Sequence, residues 1–244
     1  MIVIADDITG AAEIAGIAFQ HGLQVHLSIG ADGEVSPCDV HVIATDTRSM
    51  TEQEAVSATK QILMLLTPHP SDQTSQPSPL TSFFKKTDSA LRGHVIAELS
   101  ALMQVTGCQR AVFLPANPSK GRVIRQGVYR INGVPIHQTD FSFDPEFPAT
   151  TSSMEERFPD AAEHHVIMPD ACSVDDIIQV VNEYDDGHTL FAGAADLFTV
   201  LLTSLTSLTS HSNSSTLNPR PSTLIPQPSS LNPFPLWQHA KRAS

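Results

Sequence analysis

Four short segments gather the side chains that could do chemistry. In Ala5-Asp6-Asp7-Ile8-Thr9-Gly10, two carboxylates stand where an apolar run opens into a loop, ahead of the backbone donors of a helix N-terminus. Carboxylates placed there can bind sugar hydroxyls or remove a proton. Helix capping explains Asp7 or Thr9 taken alone, but two adjacent aspartates do not both need to cap. Further on, Lys85-Lys86-Thr87-Asp88-Ser89-Ala90-Leu91-Arg92-Gly93 is a dense run of hydrogen-bonding groups between an apolar stretch and a helix. A polyol bearing a carboxylate needs that mixture. Arg92 or a lysine such as Lys86 can pair with the acid, ideally bidentate through a guanidinium, while Asp88 and Ser89 bind hydroxyls. Solvated lysines and an N-capping Ser89 are the purely structural account.

Thr45-Asp46-Thr47-Arg48-Ser49 again sets an acid beside a base, although a surface bridge between Asp46 and Arg48 would explain it without function. Pro115-Ala116-Asn117-Pro118-Ser119-Lys120-Gly121-Arg122 offers Gly121, where backbone can approach a ligand closely, next to Arg122 as an anion binder. This segment lacks the spacing of a phosphate-binding Walker A loop, and no dinucleotide-type glycine motif occurs elsewhere. The histidines have no metal-ligand spacing, so no metal site is expected.

The elements around these segments alternate. Ile2 to Ala5, Gln24 to Ser28, Val40 to Ala44, Ser82 to Lys86, Arg110 to Leu114, His165 to Met168 and Thr189 to Ala192 read as strands. Between them, helices are expected at Ala11 to His21, with Gly22 as the C-cap, and at Thr51 to Leu66, where Thr51 and Glu54 form a capping box. Others are expected at His94 to Thr106, at Val174 to Tyr184 and from Ala194. Val128 to Ile131 and Val134 to His137, joined by Asn132-Gly133, make a β-hairpin insertion. The pattern specifies an α/β domain with a mainly parallel sheet flanked by helices. In such sheets ligands bind beyond the carboxyl ends of the strands, which is where Asp6, Asp46, Asp88 and Pro115 fall.

The formal net charge of −12 argues against nucleic acid or an anionic membrane as partner. A small anion can still bind at a local basic site. Cys38, Cys108 and Cys172 are odd in number and scattered, which suggests reduced thiols. The sequence opens without a signal-peptide pattern, and no run approaches the roughly 18 apolar residues of a membrane span, so a cytoplasmic protein is expected. Thr67 to Thr81, rich in Pro, Ser and Gln, reads as a surface loop. From Ser204 onward, only Arg220, Lys241 and Arg242 are charged, and the Ser/Thr/Pro-rich composition predicts a disordered tail over 204–244 behind a domain of 1–203. Phe234, Leu236 and Trp237 are its docking residues if it binds anything.

Taken together, the motifs resemble the N-terminal, substrate-binding domain of the four-carbon acid-sugar kinase family. The resemblance covers residues 1 to 200 and rests on Ala5 to Ala11, Lys86 to Gly93, and Pro115 to Pro118 with Gly121-Arg122. It also rests on Gly133 to Ile136 and on Phe141 with Asp144-Pro145. Ala90 stands where many members have Thr, and Asn117 where many have an aromatic residue. The resemblance implies an acid such as threonate, erythronate or 3-oxo-tetronate in this domain, and ATP with Mg²⁺ held mainly by a second domain. No segment after residue 200 resembles that second domain. Under the resemblance Asp7 is the catalytic carboxylate, while Asp6, Asp46, Arg48, Lys86, Asp88, Ser89, Arg92, Gly121 and Arg122 bind substrate.

Two expectations follow. One is a kinase half whose nucleotide domain lies on a separate chain or was lost by truncation. The other is a standalone, non-catalytic sugar-acid binding module. A hydrolase is disfavoured by the lack of a nucleophile-elbow motif.

Overall fold

The N-terminal apolar run forms β1 (Ile2–Ala5), buried from Val3 onward, as suits a β-branched strand covered on both faces. It is followed by α1 (Ile8–Gln20), β2 (Val25–Ile29), β3 (Val40–Ala44), α2 (Glu52–Leu66), β4 (Phe83–Lys86), α3 (Val95–Thr106) and β5 (Arg110–Leu114). An antiparallel unit comes next, made of β6 (Arg122–Arg125), β7 (Val128–Ile131) and β8 (Val134–Pro135). The chain then continues through α4 (Met154–Arg157), β9 (Val166–Ile167), α5 (Val174–Tyr184), β10 (Thr189–Gly193) and α6 (Ala195–Ser212). The structure is a computed structural model that describes residues 1–30, 37–66 and 82–212, with side chains through Ser204.

Seven strands pair in parallel in the order β2-β3-β1-β4-β10-β5-β9. The connections through α1 and α5 step toward the β2 edge, whereas those through α2 and α3 step the other way. Right-handed crossovers therefore place α1 and α5 on one face and α2 and α3 on the opposite one. Contacts agree: α1 and α5 each touch α6, and α2 packs on α3. Phe84, Phe113, Phe198, Ile4, Ile14 and Leu99 are fully buried in the resulting core, with the Phe84 and Phe198 rings 5.2 Å apart between centroids and tilted by 50°.

Local sequence signals account for most boundaries. Gly22 follows α1 at φ 80° and Gly107 follows α3 at φ 75°, left-handed positions that favour glycine. The Thr51 amide donates to the Glu54 carboxylate at 3.0 Å and the Glu54 amide to the Thr51 hydroxyl at 3.4 Å, closing the expected box. A second box, Ser173 with Asp176, opens α5. Ser173→Ala is expected to cost about 1 kcal/mol, read as a lower urea midpoint at an unchanged m-value.

Three local expectations differ from the structure. The strand expected at Val134 to His137 stops at Pro135, and Ile136–Gln138 turns into a 3-10 helix, because proline has no amide to continue the ladder. The hairpin is really a three-stranded sheet: Gln126-Gly127, both at positive φ, make a second tight turn after β6. Helix α6 runs through the expected domain boundary at 203/204 to Ser212. The next proline comes only at Pro219, and the hydroxyls of Thr199, Thr203 and Ser204 bond back to carbonyls four residues earlier, which accommodates them in the helix. The Thr67 to Thr81 loop and the tail beyond Ser212, with Phe234, Leu236 and Trp237, lie outside the described residues. Among the described residues, no helix is long and apolar enough to cross a membrane.

Candidate functional site

The strand order reverses at β1: the chain leaves it for β2 and β3 on one side, then returns to β4 on the other. Loops that diverge from a reversal point open a crevice at the carboxyl ends of the strands. The expected segments after β1, β3 and β4 meet there, and a cleft of about 460 Å³ is lined by Asp7, Arg48, Lys86, Asp88, Ser89 and Arg92. Thr9, Gly10 and Glu13 of α1 complete one wall, and Lys120 and Arg122 reach in from the segment that starts the small antiparallel sheet.

Arg48 is the hub. Its Nε and Nη2 each lie 3.0 Å from Asp6 Oδ2, its Nη1 lies 2.9 Å from Asp7 Oδ2, and its Nη2 lies 3.7 Å from Asp88 Oδ1. One guanidinium thus ties the ends of β1, β3 and β4 together. Gly93, beside Asp6 and Arg48, holds φ 91°, a left-handed backbone position that favours glycine. Asp7 has two tasks, because its Oδ1 also accepts from the Gly10 amide at 2.8 Å and caps α1.

Asp88 binds Arg92 through a fork, with Nε donating to Oδ2 at 2.8 Å and Nη2 to Oδ1 at 3.1 Å. The Asp88 carboxylate also accepts the Ala90 amide at 3.0 Å, and Arg92 reaches Asp144 Oδ2 at 3.4 Å. Across the pocket, Glu13 lies 3.5 Å from Lys86 Nζ and also pairs with Lys120. Arg122 donates to the Ser89 hydroxyl, and the buried Tyr129 hydroxyl donates to the Ser89 carbonyl at 2.5 Å.

Beneath this layer, Lys85 and Glu98 are 1% and 2% exposed and form an ion pair at 2.9 Å. Glu98 Oε1 also accepts from Thr47 at 2.7 Å and Thr59 at 3.3 Å. Burial pushes the Asp6 carboxyl up, against the pull of Lys85 and Arg48. Asp6 Oδ1 and Thr87 Oγ1 are the buried side-chain oxygens that find no partner among the described residues. For Asp88 the balance is opposite: burial acts upward, but Arg92 and Arg48 outweigh it and hold the carboxyl below its usual range.

Of the expected site residues, Asp7, Arg48, Lys86, Asp88, Ser89, Arg92 and Arg122 line the cleft. Asp6 lies behind them, 2% exposed. Gly121 supports Arg122 from outside the lining: a Cβ there would lie 2.1 Å from Asn132 Oδ1, so the turn packs directly on the hairpin. Asp46 is not part of the cleft; it is exposed at φ 54° and makes no bridge to Arg48, whose guanidinium turns inward to three other aspartates. Lys85 and Lys86 are buried rather than solvated, and Ser89 caps no helix, because His94 precedes α3. Sequence reasoning missed Glu13, Glu98 and Asp196. Asp196 accepts from the Ser119 amide at 2.8 Å and its hydroxyl at 2.7 Å, bracing the Arg122 loop against α6. The apolar spacing of α1 and α3 hides Glu13 and Glu98, since nothing local distinguishes an inward glutamate from a solvated one.

A divalent cation fits this lining poorly. Asp7, Asp88 and Glu13 are each matched by a guanidinium or an ammonium, and that donor set suits a polyol acid better than bare Mg²⁺.

Among known proteins, the chain is similar to a D-threonate kinase of Salmonella typhimurium, 36% identical over 157 residues that cover 64% of this chain and 35% of that one. A 3-oxo-tetronate kinase of Brucella melitensis is 32% identical over 62% of this chain and 34% of its own length. The chain therefore spans about a third of these relatives. In fold it resembles a solved Haemophilus influenzae protein, at TM-score 0.70 and 20% identity over 85% of this chain and 56% of that one. It also resembles a Bordetella bronchiseptica domain of unknown function solved as a domain-swapped dimer with bound citrate, at TM-score 0.68 and 24% identity over 82% and 56%. Residues 1–183 match the family described as the sugar-binding N-terminal domain, and the chain belongs to that family.

Proposed function

We propose that the cleft at the β1–β4 reversal binds a four-carbon sugar acid of the threonate, erythronate or 3-oxo-tetronate type as the phosphoryl acceptor of an ATP-dependent kinase. The observation that carries this reading is the composition of the lining, in which five cations face three carboxylates. Carboxylates accept hydrogen bonds from hydroxyls, and a guanidinium of the lining can take the acid. The relatives named as D-threonate and 3-oxo-tetronate kinases support the substrate class. Asp7 orients or deprotonates the acceptor hydroxyl, being the aspartate of the Asp6-Asp7 pair that lines the cleft. Asp6 holds Arg48 from behind.

ATP and Mg²⁺ would be supplied by a nucleotide-binding domain that residues 1–183 do not form, on a separate chain or elsewhere in a longer one. The match of residues 1–183 to a sugar-binding domain supports a second reading as well, a sugar-acid binding module without turnover. Calorimetry with D-threonate and D-erythronate, with and without ATP and Mg²⁺, tests both. Binding of at least one acid is expected, and Asp7→Ala is expected to abolish any phosphorylated product while the fold persists. Binding without product by the isolated chain favours the module; no binding of any four-carbon acid by the wild type sinks the pocket.

A further inference from the structure

Each cation lining the cleft can be checked for the negative charge it already serves. Arg48 is engaged by Asp6 and Asp7, and Arg92 by Asp88 and Asp144. Lys86 and Lys120 share Glu13. Arg122 differs: among the described residues it has no carboxylate within ion-pair distance, and its guanidinium donates to the neutral Ser89 hydroxyl. An arginine fork that faces a pocket with only a hydroxyl to serve is a vacant position for a planar anion.

The surroundings of Arg122 are built to hold it still. Its backbone closes a two-way bridge with Asn117, the Asn117 amide donating to the Arg122 carbonyl at 2.8 Å and the Arg122 amide to the Asn117 carbonyl at 3.1 Å. The Asn132 amide donates to the Gly121 carbonyl at 2.7 Å, so the preceding turn is fixed to the hairpin. On the facing loop, the Ser89 carbonyl is held by the buried Tyr129 hydroxyl of β7. An anchored strand of one sheet and an anchored loop of the other thus present one fork and one hydroxyl to the same point.

We infer that Arg122, with Ser89 beside it, is the subsite that takes the carboxylate of the ligand, and that the small antiparallel sheet is what makes the cleft select an acid over a neutral polyol. The inference rests on the proposed binding of a sugar acid and adds where its carboxylate goes. Arg48 and Arg92, saturated by aspartates, shape the pocket instead.

Titration of Arg122→Met, Arg122→Lys and the wild type with D-threonate, D-erythronate and the uncharged D-threitol tests this, followed by amide chemical shifts so that weak binding is measurable. Arg122→Met is expected to lose on the order of 100-fold in affinity for the acid that the wild type binds, with threitol binding unchanged. Arg122→Lys is expected to lose less, since the ammonium keeps the charge but not the fork. Undiminished acid binding by Arg122→Met, or an equal loss for acid and threitol, overturns the assignment. Should Arg122→Met fail to fold, Arg122→Lys and Ser89→Ala decide it by the same acid-to-threitol comparison. A wild type that binds neither acid overturns the sugar-acid pocket itself, a result distinct from either of these.

Discussion

Glu98→Ala is expected to be the most destabilising single change in the described structure, lowering stability by about 3–5 kcal/mol and the melting temperature by about 10 °C. The reason is the burial of its partner. Lys85 Nζ, on a side chain 1% exposed, has Glu98 as its carboxylate, and the same oxygen collects the hydroxyls of Thr47 and Thr59. Truncation leaves an ammonium in the core without its ion-pair partner and takes a charged acceptor from two hydroxyls. A buried ion pair contributes little net stability when it is replaced as a whole, so Lys85→Met combined with Glu98→Leu is expected to recover most of the loss. Thermal unfolding of the two variants checks both halves, and a double variant as unstable as Glu98→Ala would refute the account. Thr47 precedes Arg48, so the Glu98→Ala protein is also expected to bind the sugar acid more weakly; Glu98→Gln, which keeps an acceptor for Thr47, should lose less.

Arg48→Met is expected to abolish ligand binding and to cost about 3 kcal/mol or more at neutral pH, because three aspartates lose their shared partner. The pH dependence is the sharper test. Asp6 in the folded protein has a carboxyl raised above its ordinary value by burial, so the folded state holds its proton where the unfolded chain has released it. Its contribution is therefore most favourable below the unfolded carboxylate range and is lost as pH rises through the folded value. Removing Arg48 takes away a force that lowers the Asp6 carboxyl, which widens that window. The deficit of Arg48→Met relative to wild type should thus be largest near neutrality and shrink toward pH 4, as urea unfolding across that range will show. A deficit independent of pH would mean that Arg48 acts through packing alone.

Most of the architecture could be read locally. The β-branched run at Ile2 to Ala5, the capping pair Thr51 and Glu54, Gly22 after α1 and the Asn132-Gly133 turn all act within a few residues, and each appears where those signals put it. The misreadings fell where distant partners decide. Lys85 and Lys86 look like solvated lysines until α3 brings Glu98 to one and α1 brings Glu13 to the other. Asp46 looks equivalent to Asp6 and Asp88 from its place after a strand, but its backbone turns to φ 54° and carries it out to solvent.

The sequence by itself determined the alternation of strands and helices, and with it the end of the sheet at which acids and bases would gather, because hydrophobic period and turn chemistry are short-range properties. It also supplied Asp7, Asp88, Arg92 and Arg122, which line the cleft. Only the tertiary structure decided how those charges pair, since ion pairing is set by distances between chain segments that lie tens of residues apart. Arg48 is bound to the aspartates after β1 and β4 instead of its near neighbour Asp46, and the antiparallel sheet brings Arg122 across to Ser89 with no carboxylate partner among the described residues.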